Sequence, residues 1–126
     1  MLHEDIVVAD DDPVALRLLA RVIEMTGYKA ATARNGQEAV EKIRELHPAL
    51  VVLDIMMPRF DGFEVCQQIR NDPTLIRQPY IIMLTARDQA ADYRRADEIG
   101  VNEFINKPFS PAKVTARVQA ILGQKQ

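Results

Sequence analysis

Three aspartates stand where apolar runs give out. Asp10 and Asp11 follow "DIVVA" (5–9), and Asp54 follows "LVVL" (50–53). Two further apolar runs end on complementary groups: "YIIML" (80–84) on Thr85, and "EFI" (103–105) on Asn106-Lys107-Pro108. Carboxylates gathered within a few ångströms repel one another, so protons or a cation must offset their charge. Carboxylate and carbonyl oxygens, without Cys or His among the donors, suit a hard ion, and Mg²⁺ (or Mn²⁺) is the expected one. Such a site keeps open positions that a phosphoryl oxygen could fill. The Lys107 ammonium and the Thr85 hydroxyl would then complete the set that stabilises the equatorial oxygens of a phosphoryl group in transfer. The acceptor would be a carboxylate and the product an acyl phosphate.

Taken singly, each residue has an ordinary explanation. Asp12 precedes Pro13 and reads as a helix cap, a lone strand-end Asp is commonly a turn former, Lys107 alone would pass as a surface lysine and Thr85 as a strand-end hydroxyl. Their coincidence at the ends of successive apolar runs favours chemistry. Competing chemistries fit less well. A flavin or nucleotide site of this kind wants a glycine- or hydroxyl-rich loop after the first strand. Here that loop is DDDP. A phosphatase with a strand-end Asp nucleophile wants a second Asp two residues later, and that position is Met56.

The elements that would position these residues alternate five times between strand and helix. "DIVVA" (5–9) leads through Asp12-Pro13 into a helix whose apolar side is read as Val14, Leu18, Leu19, Val22 and Ile23, closed by Gly27. "YKAATA" (28–33) leads through Asn35-Gly36 into a helix with Ala39, Val40, Ile43 and Leu46, stopped by Pro48. Residues 50–53 lead to a helix over about 61–71, and 80–84 to a polar, alanine-rich helix over about 88–99 with only Tyr93, Ala96 and Ile99 as an apolar side. Residues 103–105 lead through Ser110-Pro111 to a last helix with Val114, Val118, Ile121 and Leu122. Strands apolar on both faces, alternating with amphipathic helices, imply an α/β fold: one doubly wound, flavodoxin-like, five-stranded parallel sheet with five helices on its two faces. The expected strand order is 2-1-3-4-5, which puts Asp10, Asp11 and Asp54 at the switch point between strands 1 and 3.

The chain of 126 residues, 48% hydrophobic and 27% charged, has the size and composition of one globular domain. We read it as a single domain with a core over about 4–122 and a polar tail or linker start at 123–126. The start MLHEDIVVADDD has neither the basic beginning nor the long apolar stretch of a signal peptide, and Met1 reads as a natural start. No apolar run is long enough for a membrane span. The single Cys66 fits a reducing cytoplasm and reads as a packing residue. A net charge of −2 argues against this domain gripping nucleic acid by itself.

Four motifs, "VVADDDP", "LVVLDIMMPRFDGFEV", "MLTAR" and "FINKPF", in that order and at those strand ends, resemble the receiver domain of bacterial two-component response regulators. The resemblance covers about 4–122. It implies that Asp54 is the phospho-acceptor, served by a histidine kinase or phosphotransfer protein. Asp11, Asp54 and the backbone carbonyl of Met56 resemble the direct metal ligands, and Asp10 an acid that holds the ion mainly through water. Lys107 matches the lysine that pairs with the phosphoryl group, on a bond to Pro108 expected to be cis. Thr85 and Phe104 match the switch pair, although tyrosine often stands where Phe104 does. Met56 and Arg87 fall where the family tunes the self-catalysed loss of the phosphoryl group.

The same resemblance implies a switching surface made of the helix over 88–99, the fifth strand and the last helix. That surface would control an effector domain or partner protein. Glu103 and Arg117 fall where transcription-factor receivers place charges for a phosphorylation-promoted homodimer, whereas Gln119 lacks a charge often found there. A receiver-like module working without phosphorylation is the alternative.

Overall fold

Each apolar run becomes a parallel strand, and the third, fourth and fifth strands run one residue further than their hydrophobicity does. A computed structural model describes residues 6–85 and 99–123. Its elements are β1 (Ile6–Ala9), α1 (Pro13–Glu24), β2 (Ala30–Ala33), α2 (Gly36–Leu46), β3 (Leu50–Asp54), α3 (Gly62–Arg70), β4 (Tyr80–Thr85), β5 (Glu103–Asn106) and α4 (Pro111–Leu122). The sheet is parallel throughout in the order β2-β1-β3-β4-β5, as expected. The helix expected over 88–99 lies, except for Ile99, outside the described residues, as does Arg87. Four helices are therefore present among the described residues.

Side-chain alternation divides the core. Val7, Ala9, Val51, Leu53, Ile81 and Met83 point to one face, where Ala39, Val40 and Ile43 of α2 and Phe63, Cys66 and Ile69 of α3 cover them. Ile6, Val8, Leu50, Val52, Ile82 and Leu84 point to the other, beneath Leu19 and Ile23 of α1 and Val114 and Val118 of α4. Burial pushes the Cys66 thiol up to about 11, which fits an inert packing residue. Among the described residues no helix is long and apolar enough to cross a membrane.

Helix starts follow their sequence signals. Asp12 caps α1 by accepting from the Val14 N–H, Asn35 caps α2 from Glu38, and Ser110 caps α4 from Lys113. Asp61 and Glu64 form a reciprocal capping box on α3. Helix ends differ from expectation by a residue or two. Helix α1 ends before Gly27, and α2 ends on His47 in the left-handed region (φ 48°) rather than at Pro48.

The buried side of α1 needs a larger correction. Leu16, Leu19, Ala20, Val22 and Ile23 face inward, while Val14 and Leu18 are 69% and 52% exposed. The helix is apolar over more than half its circumference, and only the sector under the sheet and α4 is covered.

A polar hub at the opposite end of the sheet was not legible beforehand. The Arg70 guanidinium donates to the carbonyls of Gly100 (3.0 Å) and Pro79 (2.8 Å), and to the side chains of Gln78 (2.9 Å) and Asn102 (2.7 Å). It ties the end of α3 to the entries of β4 and β5. Arg70→Ala is expected to cost about 1–3 kcal/mol, because those acceptors lose a charged donor. Urea unfolding checks this, and an unchanged midpoint would count against the hub.

Candidate functional site

The site lies at the carboxyl ends of β1, β3, β4 and β5. Asp54 and Thr85 are the last ladder residues of their strands, paired in register with Leu84 and Asn106, not the first residues of loops. The ladder continues because Ile55 N–H donates to the Leu84 carbonyl (3.2 Å) and Lys107 N–H to the Thr85 carbonyl (2.7 Å). Both polar side chains are consequently buried, Asp54 at 7% exposure and Thr85 at 1%. Asp10 is buried too (2%), and its carboxylate accepts from the Asp12 N–H at 3.0 Å. Asp11 is exposed.

One carboxylate oxygen from each of Asp10, Asp11 and Asp54 lies within 4.8 Å of the other two. This is an all-oxygen donor set of the kind a hard divalent cation takes. Lys107 Nζ sits between the two buried acids, 3.2 Å from Asp10 Oδ2 and 3.1 Å from Asp54 Oδ2. Burial raises the Asp54 pKa, the Lys107 ammonium opposes that rise, and the balance stays above the ordinary carboxylate value. For Lys107, burial works against the charge, but Asp54 and then Asp10 outweigh it and hold the ammonium protonated. The Lys107–Pro108 bond is cis, as the resemblance implied.

Met56 follows in the loop after β3. Its N–H donates to Asp54 Oδ1 at 3.4 Å, and its side chain is 65% exposed. Phe104 is half-buried and packs against the α2–α3 side of the core. Glu103 and Arg117 are brought together with each other. Arg117 donates to both Glu103 oxygens (2.7 and 2.6 Å), and Tyr80 adds its hydroxyl at 2.8 Å. Desolvation of Glu103 is outweighed by Arg117 and Tyr80, leaving its pKa below the ordinary value. Tyr80 had not been singled out; an aromatic hydroxyl opening an apolar strand was its only signal.

Sheet order, buried acids at the switch point and a bridging lysine define a flavodoxin-like module with a carboxylate-rich mouth. The chain belongs to the response regulator receiver domain family, whose model matches residues 6–119. It is 40% identical to the alkaline phosphatase synthesis transcriptional regulatory protein PhoP of Bacillus subtilis, over 99% of this chain and 51% of that protein. The chain therefore spans about half the length of such curated relatives. Among solved structures it is similar to the signal receiver domain of a histidine kinase from Syntrophus aciditrophicus (32% identity, TM-score 0.82, covering 93% of this chain and 88% of that one). It also resembles the receiver domain of NtrX from Brucella abortus (27%, TM-score 0.81, 96% and 100%). The chain is thus a signalling domain of the two-component phosphorelay class.

Proposed function

We propose that this domain accepts a phosphoryl group on Asp54, in a Mg²⁺-dependent transfer from the phosphohistidine of a histidine kinase or phosphotransfer protein. The observation that carries the reading is the Lys107 ammonium lodged between two buried carboxylates, with a third within 4.8 Å. Asp54 Oδ would attack phosphorus in line, the phosphorus–nitrogen bond would break, and the leaving imidazole would take a proton. Asp10, Asp11, Asp54 and the Met56 carbonyl would hold the ion. When bound, it supplies charge neutralisation for the phosphoryl oxygens. Lys107 is already positioned and protonated to bind one of those oxygens, and Thr85, on the neighbouring strand, offers a hydroxyl. Met56 and Arg87 would set how readily water reaches the acyl phosphate.

Signal output would follow from Thr85 and Phe104 rearranging together and altering the surface of β5, α4 and residues 88–99 toward an effector domain or partner protein. A homodimer joined through Glu103 and Arg117 has weaker support, since each already satisfies the other. The cytoplasm is the compartment that fits this partner set.

Acetyl phosphate with Mg²⁺ tests the reading without a kinase. Intact mass should rise by one phosphoryl group, and hydroxylamine, which cleaves acyl phosphates, should remove it. No gain in mass, or the same gain with a chelator present, would sink the proposal.

A further inference from the structure

Asn35-Gly36 reads as a helix start, yet the helix does not require a glycine there. Gly36 opens α2 with Asn35 as its cap, and its φ is outside the left-handed region. Alanine at a helical position is ordinarily favoured over glycine. What excludes a side chain is the loop that follows Asp54. A Cβ on Gly36 would lie 1.9 Å from the Phe60 carbonyl oxygen and 2.6 Å from Phe60 Cβ, where real contacts begin near 3.0 Å.

Two further contacts join the same surfaces. Gly36 N–H donates to the Pro58 carbonyl at 3.4 Å, and Arg59 Nη1 donates to Gln37 Oε1 at 3.4 Å. Arg59 is held in the left-handed region (φ 74°), a conformation that non-glycine residues rarely adopt. The inner end of this loop is fixed by Ile55 N–H on the Leu84 carbonyl and Gly62 N–H on the Ile55 carbonyl (2.9 Å). Its outer end rests on the first turn of α2. Met56 lies between these two anchorages.

We propose that Gly36 is a positioning residue for the phospho-acceptor site. Its missing side chain seats residues 58–60 on α2, and that seat fixes the loop carrying Met56 beside Asp54. The inference rests on the site reading above and extends the site to a helix that contributes no group to it. A Cβ at Gly36 would drive Phe60 outward by more than an ångström, and displacement of a supporting group by that much typically costs metal affinity or rate about 10–100-fold.

The test is the Mg²⁺ midpoint, read both from the rise in melting temperature without phosphodonor and from phosphoryl uptake from acetyl phosphate, measured for the parent, Gly36→Ala and Ile43→Val. The last lowers stability from the buried face of the same helix without touching the loop. Gly36→Ala should raise the Mg²⁺ midpoint about tenfold or more, and Ile43→Val should leave it within twofold. An unshifted midpoint in Gly36→Ala, or an equal shift in both variants, overturns the proposal. If Gly36→Ala does not fold, the double variant Gln37→Ala, Arg59→Ala loosens the same seat without a clash. A midpoint within twofold of the parent's then overturns it. A parent that takes up no phosphoryl group overturns the site reading and this proposal together; a normal parent with an unshifted variant overturns this one alone.

Discussion

Asp54→Asn is expected to take up no phosphoryl group from acetyl phosphate and, in chelator at neutral pH, to melt higher than the parent. The first half follows from chemistry: an amide oxygen of the same shape is a far weaker nucleophile than a carboxylate and cannot yield an acyl phosphate. The second half follows from burial. The Asp54 carboxylate is almost covered and shares its surroundings with Asp10 and the Lys107 ammonium. Its pKa is raised mainly because burial penalises the charged form. A raised carboxyl pKa means that the folded state holds its proton more tightly than the unfolded one. The stability from that proton is fully present below the ordinary value of 3.8 and is lost as pH rises through the raised value. At neutral pH the ionised group is therefore a burden, and asparagine removes it while Lys107 keeps its bond to Asp10. The melting advantage should shrink as the pH falls toward 3.8, where the parent becomes neutral at this position too. Intact mass and paired melts at two pH values check both halves. A mass gain equal to the parent's, or a lower melt at neutral pH, would contradict them.

Asp54 thus combines a stability cost with a chemical use, and that combination made it visible in the sequence. A carboxylate ending an apolar run conflicts with its surroundings, and such conflicts gather at functional sites. Asp10 and Lys107 were legible for the same reason, and the parallel order brought all three together. Strand ends were less legible, because hydrophobicity stops at Leu53 and Leu84 while the backbone ladder continues through Asp54 and Thr85. The inward face of α1 was misread at Val14 and Leu18 because seven or more apolar residues on one helix leave its edges undetermined until its neighbours are known. Arg70 and Gly36 lay beyond reach altogether. Arg70 acts through two segments outside its own helix, at the entries of β4 and β5, and the need for glycine at position 36 comes from Phe60, in another loop. Residues whose role lies in their own chemistry can be read from a sequence. Residues whose role lies in what they allow a neighbour to do need the fold.

Mg²⁺ at about a hundred times its dissociation constant should stabilise the protein by about 2.7 kcal/mol and raise its melting temperature by roughly 10 °C. Asp11→Ala should remove most of that rise and leave the metal-free melt almost unchanged. The asymmetry comes from the different exposure of the three acids. Asp10 and Asp54 are buried and share Lys107, so in the metal-free protein each already has a counter-charge. Asp11 is exposed, and water satisfies it at little cost. Removing it takes nothing from the metal-free fold, since surface substitutions of this kind usually stay within about 0.5 kcal/mol. It does take one of the three oxygens that converge within 4.8 Å. Among the described residues, three carboxylates face one ammonium, which leaves the charge of one divalent cation unmatched, and a monovalent ion would only half neutralise it. Melts in a Mg²⁺ titration at constant ionic strength separate this specific binding from general screening. A rise that survives Asp11→Ala intact would place the ion elsewhere, and the same rise with sodium alone would show that no bound divalent ion is involved.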